Sequence, residues 1–329
     1  MKRIVIVGNS SAGVGVADQI RQHDSQSQIL IVTEELLGAY RRDRMLKYLA
    51  GELREKDLFF TDATFYRERK IEVLPDRCVV GIQTRKSRIE FKDKDPLEYD
   101  ELILATGSKI RPGVLKGIRK EGVVLLSDLS CVKFIRHHLP LAHTVIVVGS
   151  DASAVALSRY VGSRSIDVKL IGAGIAPQEG VEVLPDVSVV EILGESDARA
   201  VRLSNQKVIG ASLIVFTQPR LPNTEFLKGT DIMLEGTTVA LPFGVERQGV
   251  VSETQPSGSV LSPENTDEPD DKDISAGAVL VDEEYRTNID NIRAVGDVCV
   301  RAGQSKVLGW DAAANEGRAL GRILCQVLI

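Results

Sequence analysis

Hydrophobic positions along the chain follow two periods, and the switch between them marks out the elements. Compact apolar runs bounded by glycine or polar residues predict strands: RIVIVG (3–8), SQILIVTEE (27–35) and TVIVVGS (144–150). Between the first two, AGVGVADQIRQ (12–22) carries small residues along one helical face. This β–turn–α–β order predicts a parallel sheet with right-handed crossovers. RRDRMLKYLAGE (41–52) has helical spacing, with Met45, Tyr48 and Leu49 apolar. RKIEVLP, RCVVGIQTRKSRIEF and YDELILATGS supply short strands up to residue 108, and LSDLSCVKFIRHHL (126–139) predicts a helix that Pro140 ends. A second β–turn–α–β unit runs from TVIVVGS through AVALSRYVGS to IDVKLIG. From Gly172 to about Glu191 no helical period follows, although a nucleotide-binding unit has room for another helix there. Strands resume with VSVVEILG, ARAVRLS and ASLIVFT.

The stretch 242–275 breaks the pattern. It is rich in Pro, Ser, Gly and acid, and is expected to be a disordered surface insertion. Order returns at AGAVLVDEEYRT and NIRAVGD, and a final helix, DAAANEGRALGRILCQVL, closes the sequence.

Composition narrows the function classes. The chain has 329 residues, 43% hydrophobic and 26% charged, enough for roughly two domains. Its net charge of -5 and lack of a basic stripe argue against nucleic acid. No apolar run approaches the ~20 residues of a membrane span. The start, MKRIVIVGNS, flows straight into a glycine turn and reads as a strand rather than a signal peptide. Cys78, Cys131, Cys299 and Cys325 are scattered, with no C-x-x-C and no metal-ligand spacing, so a cytoplasmic protein without a metal site is expected.

Two glycine turns carry the candidate chemistry. In VIVGNSSAG, Gly8, Ser10 and Gly13 stand at G-x-G-x-x-G spacing, with serine second. The first glycine permits the tight turn, the second position admits a pyrophosphate, and the third lets the helix pack on the strand. Ser11 and Ala12 open the helix whose free N–H groups would face the phosphates, and Glu34 and Glu35 follow the second strand, where an acid bonds ribose hydroxyls. In VIVVGSDASAVAL (145–157), the matching positions are Gly149, Asp151 and Ala154. A carboxylate there repels phosphates, and its β-carbon crowds the backbone. The acid expected after the following strand is replaced by Gly172 and Ala173.

YDELILATGSKIRP (99–112) and VDEEYRTNIDNIRAVGDVC (281–299) resemble two signatures of the FAD-dependent pyridine nucleotide-disulfide oxidoreductase superfamily. AYRRDRMLKYLAGE (39–52) looks like the flavin-contacting segment of its NADH oxidase, nitrite reductase, rubredoxin reductase and apoptosis-inducing-factor branch. The resemblance implies an α/β fold of two Rossmann-like, three-layer ββα nucleotide-binding domains, the second inserted in the first. Residues 1–115 and 276–329 would bind FAD and residues 116–241 would form the nicotinamide-type domain. Carried over residue by residue, Glu34 would bind the adenosine ribose, and Arg42 and Lys47 would lie along the pyrophosphate and flavin, Lys47 at its redox-active edge. Val79 would border the adenine; Ala105, Thr106 and Gly107 would close over the adenosine half; Gly296 and Asp297 would meet the ribityl chain; Trp310 would stand near the pyrimidine edge.

The degraded second turn makes NAD(P)H binding doubtful. The paired cysteines of the disulfide reductases are absent from residues 36–52, and the sequence stops after the last helix, where such enzymes continue into a domain that covers the flavin. The leading expectation is therefore an FAD-bearing electron-transfer subunit whose flavin is covered by a redox partner of iron–sulfur, ferredoxin or rubredoxin type. The alternatives are an NAD(P)H-dependent FAD oxidoreductase and a non-catalytic scaffold stabilised by FAD.

Overall fold

The computed structural model describes residues 2–235, 277–304 and 309–328; the acidic insertion expected at 242–275 lies outside them. The fold is α/β with two parallel sheets. In the first half, β1 (Arg3–Val7) leads through α1 (Ser11–His23) to β2 (Gln28–Val32). An excursion follows, carrying a 3-10 turn (Arg42–Arg44), α2 (Met45–Leu49) and α3 (Ala63–Glu68), before β3 (Ile71–Leu74). A meander of β4 (Val79–Gln83), β5 (Arg88–Phe91) and β6 (Leu97–Glu98) precedes β7 (Glu101–Leu104) and β8 (Ser108–Ile110).

The second half holds β9 (Val123–Leu125), α4 (Leu129–His138), β10 (Thr144–Val148), α5 (Ala152–Gly162), β11 (Asp167–Ile171) and β12 (Glu182–Leu184). A second meander, β13 (Val189–Leu193), β14 (Ala200–Leu203) and β15 (Val208–Gly210), leads to β16 (Leu213–Phe216) and β17 (Arg220–Pro222). The chain then returns to the first half through β18 (Leu234–Glu235), β19 (Ala278–Val281), β20 (Ile292–Ala294), β21 (Cys299–Arg301) and α6 (Trp310–Leu328).

The parallel sheets run β20-β7-β1-β2-β3 and β12-β11-β10-β16-β9. Strand alternation sorts the first sheet into three layers. Ile4, Ile6, Ile29 and Ile31 face α1 and α6, where Val16, Ile20, Leu320 and Leu324 are buried. Val5, Val7, Leu30 and Val32 face the meander, packing with Val79, Ile82, Ile89 and Tyr99. The antiparallel pair β8–β17 ties the two halves together.

Two elements differ from their sequence expectations. The helix expected over 41–52 shrinks to one short turn-and-helix, because this excursion buries Tyr40, Met45, Tyr48 and Leu49 in the core of the second half. Strand β2 stops at Val32, since the Thr33 hydroxyl accepts the Glu35 N–H (3.2 Å) and turns the chain out of the sheet. The missing helix after β11 is observed as such: residues 172–181 form a helix-free connection to β12, which still pairs parallel with β11.

Helices α1 and α6 lie in close contact. A β-carbon on Gly317 would come 2.2 Å from the Ala12 carbonyl oxygen, and one on Gly15 would come 2.9 Å from that of Ala314. Gly317→Val therefore pushes the helices apart, and a loss of about 1–3 kcal/mol is expected in urea unfolding, with the slope of the transition unchanged.

Candidate functional site

The turn after β1 is set by two close approaches. Gly8 has φ +120°, and a β-carbon there would lie 2.2 Å from the Ala105 carbonyl oxygen. A β-carbon on Gly13 would lie 2.0 Å from the Gly8 carbonyl oxygen, so the helix starts directly against the turn. Ser10 precedes α1 in extended conformation and makes no side-chain cap. The first N–H groups of a helix have no partner within it, so here they are open to an anion. They open on a cavity of about 690 Å³ at the carboxyl ends of the strands, between the two halves of the chain.

The cavity gathers most of the sequence candidates. Gly8, Ser10, Ser11, Ala12, Glu34, Glu35, Arg42, Val79, Ala105, Thr106, Gly107, Gly296, Asp297 and Trp310 all line it. Gly13 sits behind the turn and does not. Lys47 is also absent from the lining: the helical register that buries Met45, Tyr48 and Leu49 turns Lys47 to solvent, and Leu46 lines the cavity in its place.

Two ion pairs face the cavity. In one, Glu34 faces the Lys109 ammonium at 3.4 Å; Arg77 and Val79 also line the cavity. In the other, the Arg42 guanidinium pairs with Glu35, donates to the Ser127 carbonyl oxygen (2.7 Å) and lies over the Tyr40 ring. Burial opposes the Arg42 charge, but Tyr40, Glu35 and Asp128 more than compensate and its pKa lies above the ordinary value. Burial also opposes the Asp128 charge, yet hydrogen bonds from Ser130 and Cys131 and the nearby Arg42 hold its carboxyl below the usual range. Leu125, Leu126, Ser153 and Arg220 also line the cavity.

Near the last helix, Gly296 (φ +83°) passes close to Ala12, and Asp297 accepts the Ser108 hydroxyl at 3.2 Å. Trp310 meets Phe60 edge-on at 5.2 Å, with Arg41 over its ring.

Asn9, which motif reading passed over, tests the fit of a dinucleotide. Its Oδ1 accepts the Tyr66 hydroxyl (2.7 Å), while its buried Nδ2 has no hydrogen-bond partner. A buried amide donor left unsatisfied is costly, and a ligand oxygen lying across the turn would satisfy it. The uncapped helix start, the close-approach glycines and this amide together suit the pyrophosphate of FAD. Asn9 and Lys109 lay inside the quoted motifs and could have been found there. Asp128 and Arg220 carry no motif signal.

The second turn is built differently. Asp151 is the N-cap of α5: its Oδ1 accepts the Ala154 N–H (3.0 Å) and the Thr217 hydroxyl (2.7 Å). The Ser150 N–H is taken by Gln218 Oε1 at 2.9 Å. A β-carbon on Gly172 would stand 2.4 Å from the Gly149 carbonyl oxygen, so the connection after β11 presses on this turn. Among the described residues, no cluster of three or more His, Cys, Asp or Glu side chains could hold a metal ion, and no helix is long and apolar enough to cross a membrane.

The sequence pattern described as pyridine nucleotide-disulphide oxidoreductase matches residues 2–241. The chain belongs to that family. Its members bind FAD and typically NAD(P)H as well. Among its relatives, the NADH oxidase of Methanocaldococcus jannaschii is 24% identical over 99% of this chain and 70% of its own length. The nitrite reductase [NAD(P)H] of Bacillus subtilis is 28% identical over 68% of this chain but only 30% of its own. A rubredoxin-NAD(+) reductase of Ectopseudomonas oleovorans is 25% identical, covering 70% of this chain and 65% of its own. Several relatives are thus much longer than the part this chain matches. In solved structures, the putidaredoxin reductase of a covalent complex with putidaredoxin superposes with a TM-score of 0.80 at 19% identity, covering 99% of this chain and 75% of that one. The NADH-bound water-forming NADH oxidase of Lactobacillus brevis gives 0.79 at 16%, covering 98% and 69%.

Asn9→Ala removes the amide donor without filling space. FAD affinity is expected to fall about tenfold to a hundredfold, the value of one hydrogen bond to a charged group. Quenching of flavin fluorescence on binding measures it, and the melting temperature of the flavin-free protein should fall by only a few degrees, for the lost hydrogen bond from Tyr66.

Proposed function

We propose that this chain is an FAD-dependent oxidoreductase of the ferredoxin and rubredoxin reductase kind. It binds FAD in the cavity between its halves and passes electrons between the flavin and a small iron–sulfur or rubredoxin-type protein. The observation that carries this reading is the uncapped N-terminus of α1 opening on that cavity. The FAD pyrophosphate would lie across residues 8–12, with Asn9 donating to it. The adenosine would lie toward Glu34 and Val79, and the flavin toward Arg42, Leu46 and Arg220. When bound, the flavin can accept a hydride and return electrons singly. A nicotinamide nucleotide as the electron donor is supported by the relatives' names, which include NADH oxidase, nitrite reductase [NAD(P)H] and rubredoxin-NAD(+) reductase.

A second reading, in which nicotinamide binding has been lost, is favoured by one specific observation. Asp151 already satisfies the start of α5, where a nucleotide phosphate would otherwise be held. On this reading the donor is a protein.

Anaerobic titration of the FAD-loaded protein with NADH and NADPH separates the two. Stoichiometric bleaching of the flavin's visible band is expected for the first. No bleaching with either nucleotide, followed by full reduction with dithionite, would overturn it in favour of the second. Asp151→Gly is a further check. It removes the cap, at roughly a few tenths of a kcal/mol of stability, and frees the helix N-terminus. Under the second reading this substitution should confer or strengthen reduction by NADH.

A further inference from the structure

The sequence assigns the cation beside the flavin to Lys47, which the structure turns to solvent. Four other cationic side chains line the cavity: Arg42, Arg77, Lys109 and Arg220. Three of them have other work or another place. Arg42 pairs with Glu35 and holds Ser127, Lys109 pairs with Glu34, and Arg77 has its guanidinium over the Phe91 ring. Arg220 differs. It opens β17 and lies at the meeting point of both halves of the chain. Its hydrogen bond to the protein runs from Nη2 to the Leu126 carbonyl oxygen at 3.2 Å. Its guanidinium is exposed to the cavity without a carboxylate in ion-pair contact among the described residues.

We propose that Arg220 is a flavin-tuning residue: its guanidinium faces the redox-active ring system and stabilises the negative charge the ring gains on reduction. The proposal rests on the reading that FAD fills this cavity. On that reading the turn at Gly8 takes the pyrophosphate, and Glu34 and Val79 take the adenosine. The flavin half then lies toward Arg42, Leu46, Leu126 and Arg220, which line the same cavity. The charged groups facing Arg220 are Asp151 from the start of α5, Asp297 from the late glycine motif and Arg42 from the excursion. Burial pulls its pKa below the ordinary arginine value and Arg42 adds to this, while the two carboxylates act in the opposite sense. A fixed positive charge lining the cavity acts on a neighbouring ring, more strongly once the bound ligand displaces the solvent between them. Two reduced-ring electrons and one proton leave one net negative charge, and a guanidinium against the ring favours that state.

The test uses the FAD-loaded full chain and two readouts besides turnover: the midpoint potential of the flavin, and its affinity for sulfite, which adds to the ring and places negative charge on it. Arg220→Gln is expected to favour the reduced form about tenfold less, a drop of about 30 mV for a two-electron couple. Sulfite binding should weaken in parallel, and Arg220→Lys should restore most of both. Asp151→Asn keeps an oxygen for the α5 cap while removing a negative charge that faces Arg220. It should move both readouts the other way. Arg220→Gln and Asp151→Asn proteins with full flavin content but wild-type potential and sulfite affinity would overturn the proposal and leave the FAD reading standing. Wild-type protein that takes up no FAD would overturn both.

Discussion

The start of a helix presents N–H groups that nothing inside the helix can satisfy, and each half of this chain answers that demand differently. Helix α1 leaves them open: Ser10 supplies no cap and the turn glycines bring the backbone up to the cavity. Helix α5 answers internally, with Asp151 accepting from Ala154 and from Thr217. The same strand–turn–helix frame therefore yields one end that favours an anion and one that supplies its own. Everything else around the cavity, from the packing of α6 on α1 to the position of Asp297, depends on the first turn holding its shape.

Much of this was legible in the sequence where the local pattern and the tertiary environment agree. Residues 3–32 fold as their periodicity dictates, since alternate residues of β1 and β2 serve two buried layers. The helix-free stretch after β11 was legible for the same reason. Motif matching gave Lys47 a place at the flavin, whereas the fold leaves it exposed and outside the cavity lining, and a signal for this was present. Met45, Tyr48 and Leu49 are spaced to share one helical face, which leaves Lys47 on the other. The cofactor contacts were inferred from the family pattern, but the core those three residues pack into belongs to the other half of the chain. Sequence spacing alone does not reveal such a partner.

Asp151 illustrates a different gap. Its sequence position suggested a free carboxylate repelling phosphate. In the fold it is a capping group, held by Thr217 from β16's far end, and its charge is already engaged. Arg220 was invisible because no motif marks it; its place follows from the pairing of β8 with β17, a contact between segments more than a hundred residues apart.

The excursion between β2 and β3 has a consequence for how the molecule holds together. Tyr40, Met45, Tyr48, Leu49 and Leu58 leave the first sheet and share one apolar core with Val145, Leu157 and Ile214 of the second. The Tyr40 hydroxyl also accepts the Leu129 N–H at the start of α4 (3.1 Å). Neither half can therefore lose its core without exposing apolar surface of the other. Denaturation should be a single cooperative event spanning both sheets, rather than the stepwise melting that two nucleotide-binding units joined by a ribbon would show.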